Sequence, residues 1–196
     1  GENLTTDDLR AMIPQEHREF RADVLEKHDI EANDLRSDAN SQKTEQSSNQ
    51  VLGAGLDGAK KVLEVAFSHP IGLVANALGV PPKWMLDMGK EHNVPVAALI
   101  GAKQHAVKQV EAGADISVVS GTEGGGHCGS VSTMVLVPEV RRALKPYGNV
   151  PILAAGGICT GEQMAGVMAM GADGVWCASV FLPTTEAETS DNVKEK

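Results

Sequence analysis

Aromatic side chains are scarce: three Phe, two Trp and one Tyr among 196 residues. The core must therefore be built from Ala, Val, Leu, Ile and Met. Cysteine is sparse as well. Cys128, Cys159 and Cys177 are an odd number without C-x-x-C spacing, which argues against a disulfide framework or a zinc site. A reducing, cytoplasmic location is the default that follows. No apolar run approaches membrane length, and no signal-peptide pattern opens the chain, so no membrane partner is expected. Basic tracts are missing too: 26 acidic residues against 17 basic ones give a net charge of −9, which argues against nucleic acid or an anionic lipid surface as partner. Strings that fit G-x-G-x-x-G stand at 53–58 and 124–129, but neither is read as a dinucleotide fingerprint. The chain also lacks an initiator methionine, so Gly1 is not expected to be a natural start.

What is present divides near residue 50. Thr5 or Thr6 can cap a helix in which Asp7 and Asp8 suit the first turn. Pro14 should break that helix and leave a second one from Gln15. The stretch EANDLRSDANSQKTEQSSNQ holds too few apolar side chains to offset ordering entropy and reads as a polar linker. His17 and His28 lie among charges and should face solvent.

From residue 51 onward, apolar runs alternate with helical patterns. Residues 56–67 form an amphipathic pattern with Leu56, Ala59, Val62, Leu63 and Ala66 on one stripe. IGLVANALG, VPVAALIG, ADISVVSG, VPILAAGG and DGVWCASVF then read as buried strands. Helices are expected between them, opened by prolines at PPKW, closed by Gly113, starting from Pro138, and packed through Met and Ala in TGEQMAGVMAMGA. Strands that are apolar on both faces and joined through helices mean a parallel sheet. Repeats of this length without a dinucleotide fingerprint favour an α/β fold of the (β/α)8 barrel type.

Three stretches carry chemistry. After the strand ending at Ser120 and Gly121, the glycines Gly124, Gly125 and Gly126 deliver His127. Serial glycines let backbone approach a flat or phosphorylated ligand, and an imidazole at the loop end suits general-base or hydrogen-bonding work. The plainer alternative, a flexible linker with a surface histidine, stands beside it. In barrels, the last two strand tips commonly cradle phosphate with backbone N–H groups. Gly156 and Gly157 end one such strand, while Ala178 and Ser179 end the next. Glu123 could serve as a base, although a loop carboxylate is more often solvated. Asn76 could reach a substrate or bond its own loop. Cys128 follows His127, and no role is read for it. Trp84 and Trp176 read as packing residues, and His105 as solvent-facing.

The ordered set GTEGGGHCG, VPILAAGGI, GADGVWCASVF and EAET resembles the flavin-dependent nitronate monooxygenases, over about residues 3–189. The resemblance implies an FMN-binding (β/α)8 barrel that oxidises alkyl nitronates with molecular oxygen to a carbonyl compound and nitrite. Under it, His127 matches the active-site histidine. Ser120 stands where the family often has Gln near the flavin ring, and Gly125 matches a glycine contacting FMN. Gly121 and Gly126 fall in the same cofactor-binding stretch. Gly157 and the run Trp176, Cys177, Ala178, Ser179 match the phosphate-binding segments, with Ala178 replacing the usual glycine. A complete barrel of this kind needs about 250 residues, whereas five βα units are visible here, corresponding to strands four to eight. The expectation is a fragment: residues 1–50 a helical insertion and polar linker, 51–189 the C-terminal part of the barrel, 190–196 a tail. Such an arc should expose sheet edges and an apolar inner face. Two alternatives stand beside the monooxygenase: a flavin-type enoyl-acyl-carrier-protein reductase, and a non-catalytic barrel remnant. The partners implied are a small nitronate and oxygen, with homo-oligomerisation left open.

Overall fold

The computed structural model describes residues 11–30 and 55–195. They fall into two compact units, divided between Ala59 and Lys60. The helix expected before Pro14 and the polar stretch up to residue 50 lie largely outside the described residues. In the first unit, α1 (Gln15–Lys27) starts directly after Pro14, as the locked proline backbone dictates. Arg18 folds back to donate to the carbonyls of Ile13 and Ala11 at 3.1 and 3.2 Å. His17 and His28 are exposed.

The remaining elements are α2 (Gly55–Phe67), β1 (Val74–Asn76), α3 (Lys83–Glu91), β2 (Val96–Ile100), α4 (Lys103–Ala112), β3 (Ile116–Ser120), α5 (Thr133–Leu144), β4 (Ile152–Ala155), α6 (Gly161–Ala169), β5 (Gly174–Trp176) and α7 (Asp191–Lys194). The five strands pair in parallel and in sequence order, β1-β2-β3-β4-β5. A doubly wound sheet would reverse direction after its first half. A monotonic order keeps every helix on the same face, which is the arrangement of a barrel arc.

Side-chain alternation sorts the strands into two layers. Ile100, Val119, Ile152 and Ala154 point outward and pack with Leu136, Val137, Val140 and Leu144 of α5. A second outer cluster joins Phe67, Val74, Met85, Leu86 and Val96. Ala97, Val118 and Ala155 point inward beside Leu99, Leu153 and Trp176, which stay half-buried. The inner layer is thus apolar and incompletely covered, as expected of an arc.

One short motif occurs twice and sets the register of the units. Gly113-Ala114-Asp115 and Gly171-Ala172-Asp173 each follow a helix. Both glycines are left-handed (φ +107° and +111°), and both alanines are buried. Each aspartate then accepts from the first residue of the preceding strand: Asp115 from the N–H of Val96, Asp173 from that of Ile152, both at 2.8 Å. Arg141 of α5 also pairs with Asp173 and donates to the carbonyl of Gly171 at 2.7 Å.

Several expectations need correction. α5 begins at Thr133, five residues before Pro138, so the proline sits inside the helix. A carboxylate on the helix start and a fully buried face (Leu136, Val137, Val140) outweigh the bond that proline removes. Val62 of the supposed apolar stripe is 71% exposed, and α2 packs instead through Leu63 and Phe67. β1 and β5 are three-residue edge strands rather than long buried ones, and Leu78 just past β1 is 88% exposed. α6 buries only Val167, leaving Met164 and Met168 exposed.

Asp173 yields a pH prediction. Burial pushes its carboxyl up, but the Ile152 N–H and the Arg141 guanidinium outweigh that and hold it below the usual range. A carboxyl depressed on folding contributes stability that is complete above its unfolded pKa of about 3.9 and is lost as pH falls through the lower folded value. Urea midpoints measured from pH 7 to pH 2 should therefore fall more steeply in the parent than in Asp173→Asn. Parallel curves would contradict the assignment.

Candidate functional site

The C-terminal ends of β2 to β5 open on two adjoining clefts that share Leu99, Ser120 and Gly125 as walls. The larger, about 470 Å³, reaches from His127 and Cys128 across Gly101 to α4. The smaller, about 240 Å³, lies over the tips of β4 and β5 and is lined by Gly156, Gly157, Trp176, Ala178 and Ser179. The sequence-predicted residues are thus gathered in one place, with three exceptions. Gly121 is buried under α5, Gly126 is exposed on the loop (φ +78°), and the Cys177 side chain packs against the outer core. None of the three lines either cleft.

Four backbone amides in the smaller cleft have no acceptor among the described residues: those of Gly156, Gly157, Ala178 and Ser179. Free N–H groups on residues that line a cavity are suited to an anion such as phosphate. Gly156 and Gly157 are both left-handed, with φ of +95° and +67°, and their turn is fixed from the following helix. Gln163 donates to the carbonyl of Gly157 at 3.0 Å. Its side-chain oxygen accepts from the N–H groups of Cys159 and Thr160 at 2.8 and 3.0 Å. With Thr160 this forms a capping box. The T-x-x-Q spacing was visible in the sequence; its consequence for the glycine turn was not.

Glu123 proves to be a clamp. Its carboxylate accepts from the N–H of Thr133 at 2.9 Å and lies 3.0 Å from the Thr133 hydroxyl, so it caps the N-terminus of α5. The same hydroxyl accepts from the N–H of Gly121 and lies 3.1 Å from the carbonyl of Ala155. One threonine therefore ties the β3 tip, the glycine loop and the β4 tip together. Chiefly through the Thr133 N–H, Glu123 is held below its ordinary pKa. It is ionised and bonded at neutral pH, which is poor preparation for base work.

His127 is exposed and hydrogen-bonds to none of the described residues, so only the loop positions it. Asn76 bonds its own loop, donating to the carbonyls of Leu78 and Gly79 at 3.0 and 2.9 Å. His105 is solvent-facing as expected, yet it also lines the larger cleft with Lys108 and Gln109. Sequence reasoning missed that role because α4 read only as a covering helix.

Removing the clamp should loosen the loop without unfolding the barrel arc. Glu123→Ala should cost about 1–2 kcal/mol, the loss of one charged hydrogen bond at a partly solvated site. Amide exchange should accelerate over residues 121–129 and at the start of α5. Unchanged exchange there would show that the carboxylate does not hold the loop.

Comparisons with known proteins fit this geometry. Residues 13–196 match the family model described as nitronate monooxygenase. A protein of Mycobacterium tuberculosis, provisionally named a monooxygenase, is 47% identical over 187 residues, covering 95% of this chain and 47% of that protein. A hydroxy-octahydroindene-carboxyl-CoA dehydrogenase of Rhodococcus jostii is 39% identical over 123 residues, covering 63% of this chain and 34% of its own. Among solved structures, nitroalkane oxidase from Streptomyces ansochromogenes is similar at 29% identity and a TM-score of 0.64, covering 71% of this chain and 42% of that one. FabK from Thermotoga maritima is similar at 32% identity and a TM-score of 0.63, over 70% and 42%. The chain spans less than half the length of each of these relatives.

Proposed function

Because this chain belongs to the nitronate monooxygenase family, we propose that it carries the cofactor-phosphate and substrate sites of a flavoenzyme. The reaction is oxidation of alkyl nitronates by molecular oxygen, releasing a carbonyl compound and nitrite. The observation that carries the proposal is the set of four acceptor-free amides in a small cleft beside the His127 loop. The cofactor is FMN, with its phosphate on Gly156, Gly157, Ala178 and Ser179 and its ring towards Ser120 and Gly125. When bound, FMN supplies the electron sink for the substrate carbon and passes electrons to oxygen. Trp176 lines the cleft and closes its inner side. Gly121, Gly126 and Cys177 contribute only as backbone neighbours of these contacts.

His127 acts on the substrate. A nitronate is an anion, and an imidazole beside it can donate a hydrogen bond. It can also remove the α-proton of a neutral nitroalkane and so form the nitronate in place. His127 has no partner that would hold it in one role, and the base role is the one we propose. No helix among the described residues is long and apolar enough to cross a membrane, and the cytoplasm is the proposed location. The relative named as a dehydrogenase favours a second reading, a nicotinamide-linked flavin reductase on the same barrel. Prompt bleaching of the flavin on mixing with NAD(P)H would select it.

Gly125 gives the cleanest test of the cofactor site. A Cβ there meets no neighbouring protein atom within 4 Å, and Gly125 lines both clefts, so a larger side chain takes up cleft space. At Gly157, by contrast, a new Cβ would meet that of Glu123 at 3.1 Å in a left-handed backbone. Gly125→Val should keep the parent's melting temperature while purifying with little flavin; full flavin content would remove the assignment. For His127, activity should be compared on neutral nitroalkane and on preformed nitronate. His127→Asn should lose roughly 10²–10⁴-fold on the first and within about tenfold on the second. Equal losses on both would eliminate the base role.

A further inference from the structure

The Thr133 hydroxyl carries one hydrogen and faces two acceptors. Its oxygen lies 3.0 Å from Oε2 of Glu123 and 3.1 Å from the carbonyl oxygen of Ala155, and it accepts from the N–H of Gly121 at 3.1 Å. A hydroxyl donates once, so only one of the two acceptors holds that hydrogen at any moment. Thr133 is 5% exposed, which gives water little access to serve the other. The Glu123 carboxylate keeps the backbone N–H of Thr133 at 2.9 Å in either case.

The two acceptors govern different parts of the site. Glu123 belongs to the glycine loop that carries His127. The Ala155 carbonyl belongs to the same peptide group as the N–H of Gly156, one of the four acceptor-free amides on residues lining the smaller cleft. No peptide bond among the described residues is cis, so the C=O and N–H of this planar group point in opposite directions. Holding the carbonyl therefore sets the direction of the N–H. Gly156 has φ of +95° and no side chain to restrict it, so the peptide takes its orientation from its partners. An anion accepting from the Gly156 N–H polarises the peptide and strengthens Ala155 as an acceptor. It draws the Thr133 hydrogen towards Ala155 and away from Glu123.

We infer that Thr133 is a positioning residue for the cofactor phosphate, orienting the Gly156 N–H through the carbonyl of Ala155 in competition with Glu123. The inference rests on the assignment of the phosphate to the smaller cleft. It joins the two clefts as well, because the hydrogen that readies the phosphate site also ties down the His127 loop.

The test reads the ratio of FMN to riboflavin affinity by calorimetry, in which ring contacts cancel and the phosphate remains. Thr133→Val keeps the shape of the side chain and removes the hydroxyl, whereas Thr133→Ser keeps the hydroxyl. Thr133→Val should lower the ratio about tenfold with riboflavin affinity unchanged, and Thr133→Ser should stay within about twofold of the parent. Thr133→Ala carries the same expectation as Thr133→Val and replaces it where the added methyl prevents folding. Glu123→Ala leaves the hydrogen to Ala155 and should raise the ratio, about threefold more by itself than in combination with Thr133→Val.

An FMN preference that survives in both hydroxyl-free variants overturns the inference and leaves the phosphate assignment standing. Equal losses for FMN and riboflavin would show a general structural role for Thr133 and overturn it too. A Glu123→Ala gain of the same size with and without the hydroxyl reports only the lost negative charge and overturns the competition. A parent protein that binds both flavins equally removes the phosphate assignment itself, and the role of Thr133 with it.

Discussion

The site depends on how closely three backbone segments approach around the hydroxyl of Thr133. A Cβ at Gly121 would lie 2.1 Å from the Thr133 nitrogen, and one at Gly156 would lie 2.9 Å from the nitrogen of Gly124. Neither distance can be accommodated, because the atom met is backbone in both cases. Glycine at these positions is therefore required by packing of protein on protein. Gly125 is different: a Cβ there would meet nothing within 4 Å, whereas Gly126 shapes the loop through a left-handed backbone (φ +78°) that side chains rarely adopt. The run GTEGGGHCG thus contains two kinds of glycine, one kind that seats the loop and another that leaves space over it. The seated glycines bring His127 to one cleft and the loop's inner edge to the other.

Glu123 supplies the electrostatic half of the same constraint. The N-terminus of α5 presents unbonded N–H groups and partial positive charge, and the carboxylate answers both. Because α5 contributes Leu136, Val137 and Val140 to the outer core, the loop is anchored to the most buried helix of the unit. Gln163 repeats the principle one unit later, where a capping side chain also holds the carbonyl of Gly157. Helix capping here fixes cleft-lining backbone as well as ending helices.

Much of the fold was legible because its signals are local. Strands apolar on both faces, the left-handed Gly113 and the proline-opened α3 follow from composition and dihedral preference over a few residues. The glycine loop and the Gly-Gly turn were legible as candidate sites for the same reason, and both line the clefts at the strand tips. What was misjudged depends on partners distant in sequence. The start of α5 is set by a carboxylate ten residues upstream, which a proline rule applied to residue 138 could not register. The edge character of β1 and the exposure of Val62 and Met168 depend on what lies beside them, which periodicity does not encode. Lys108 and Gln109 looked like ordinary helix residues until β1 and its loop were placed against α4.

The central claim is that the acceptor-free amides of Gly156, Gly157, Ala178 and Ser179 bind the phosphate of the cofactor. The most direct measurement is calorimetric titration of the purified protein with FMN and with riboflavin, which share the ring and differ by the phosphate. Four acceptor-free N–H groups on cleft-lining residues predict that FMN binds at least a hundredfold tighter, since about 1.4 kcal/mol separates each factor of ten and charged hydrogen bonds contribute about 1.5–3 kcal/mol each. Equal affinity for FMN and riboflavin would contradict the account.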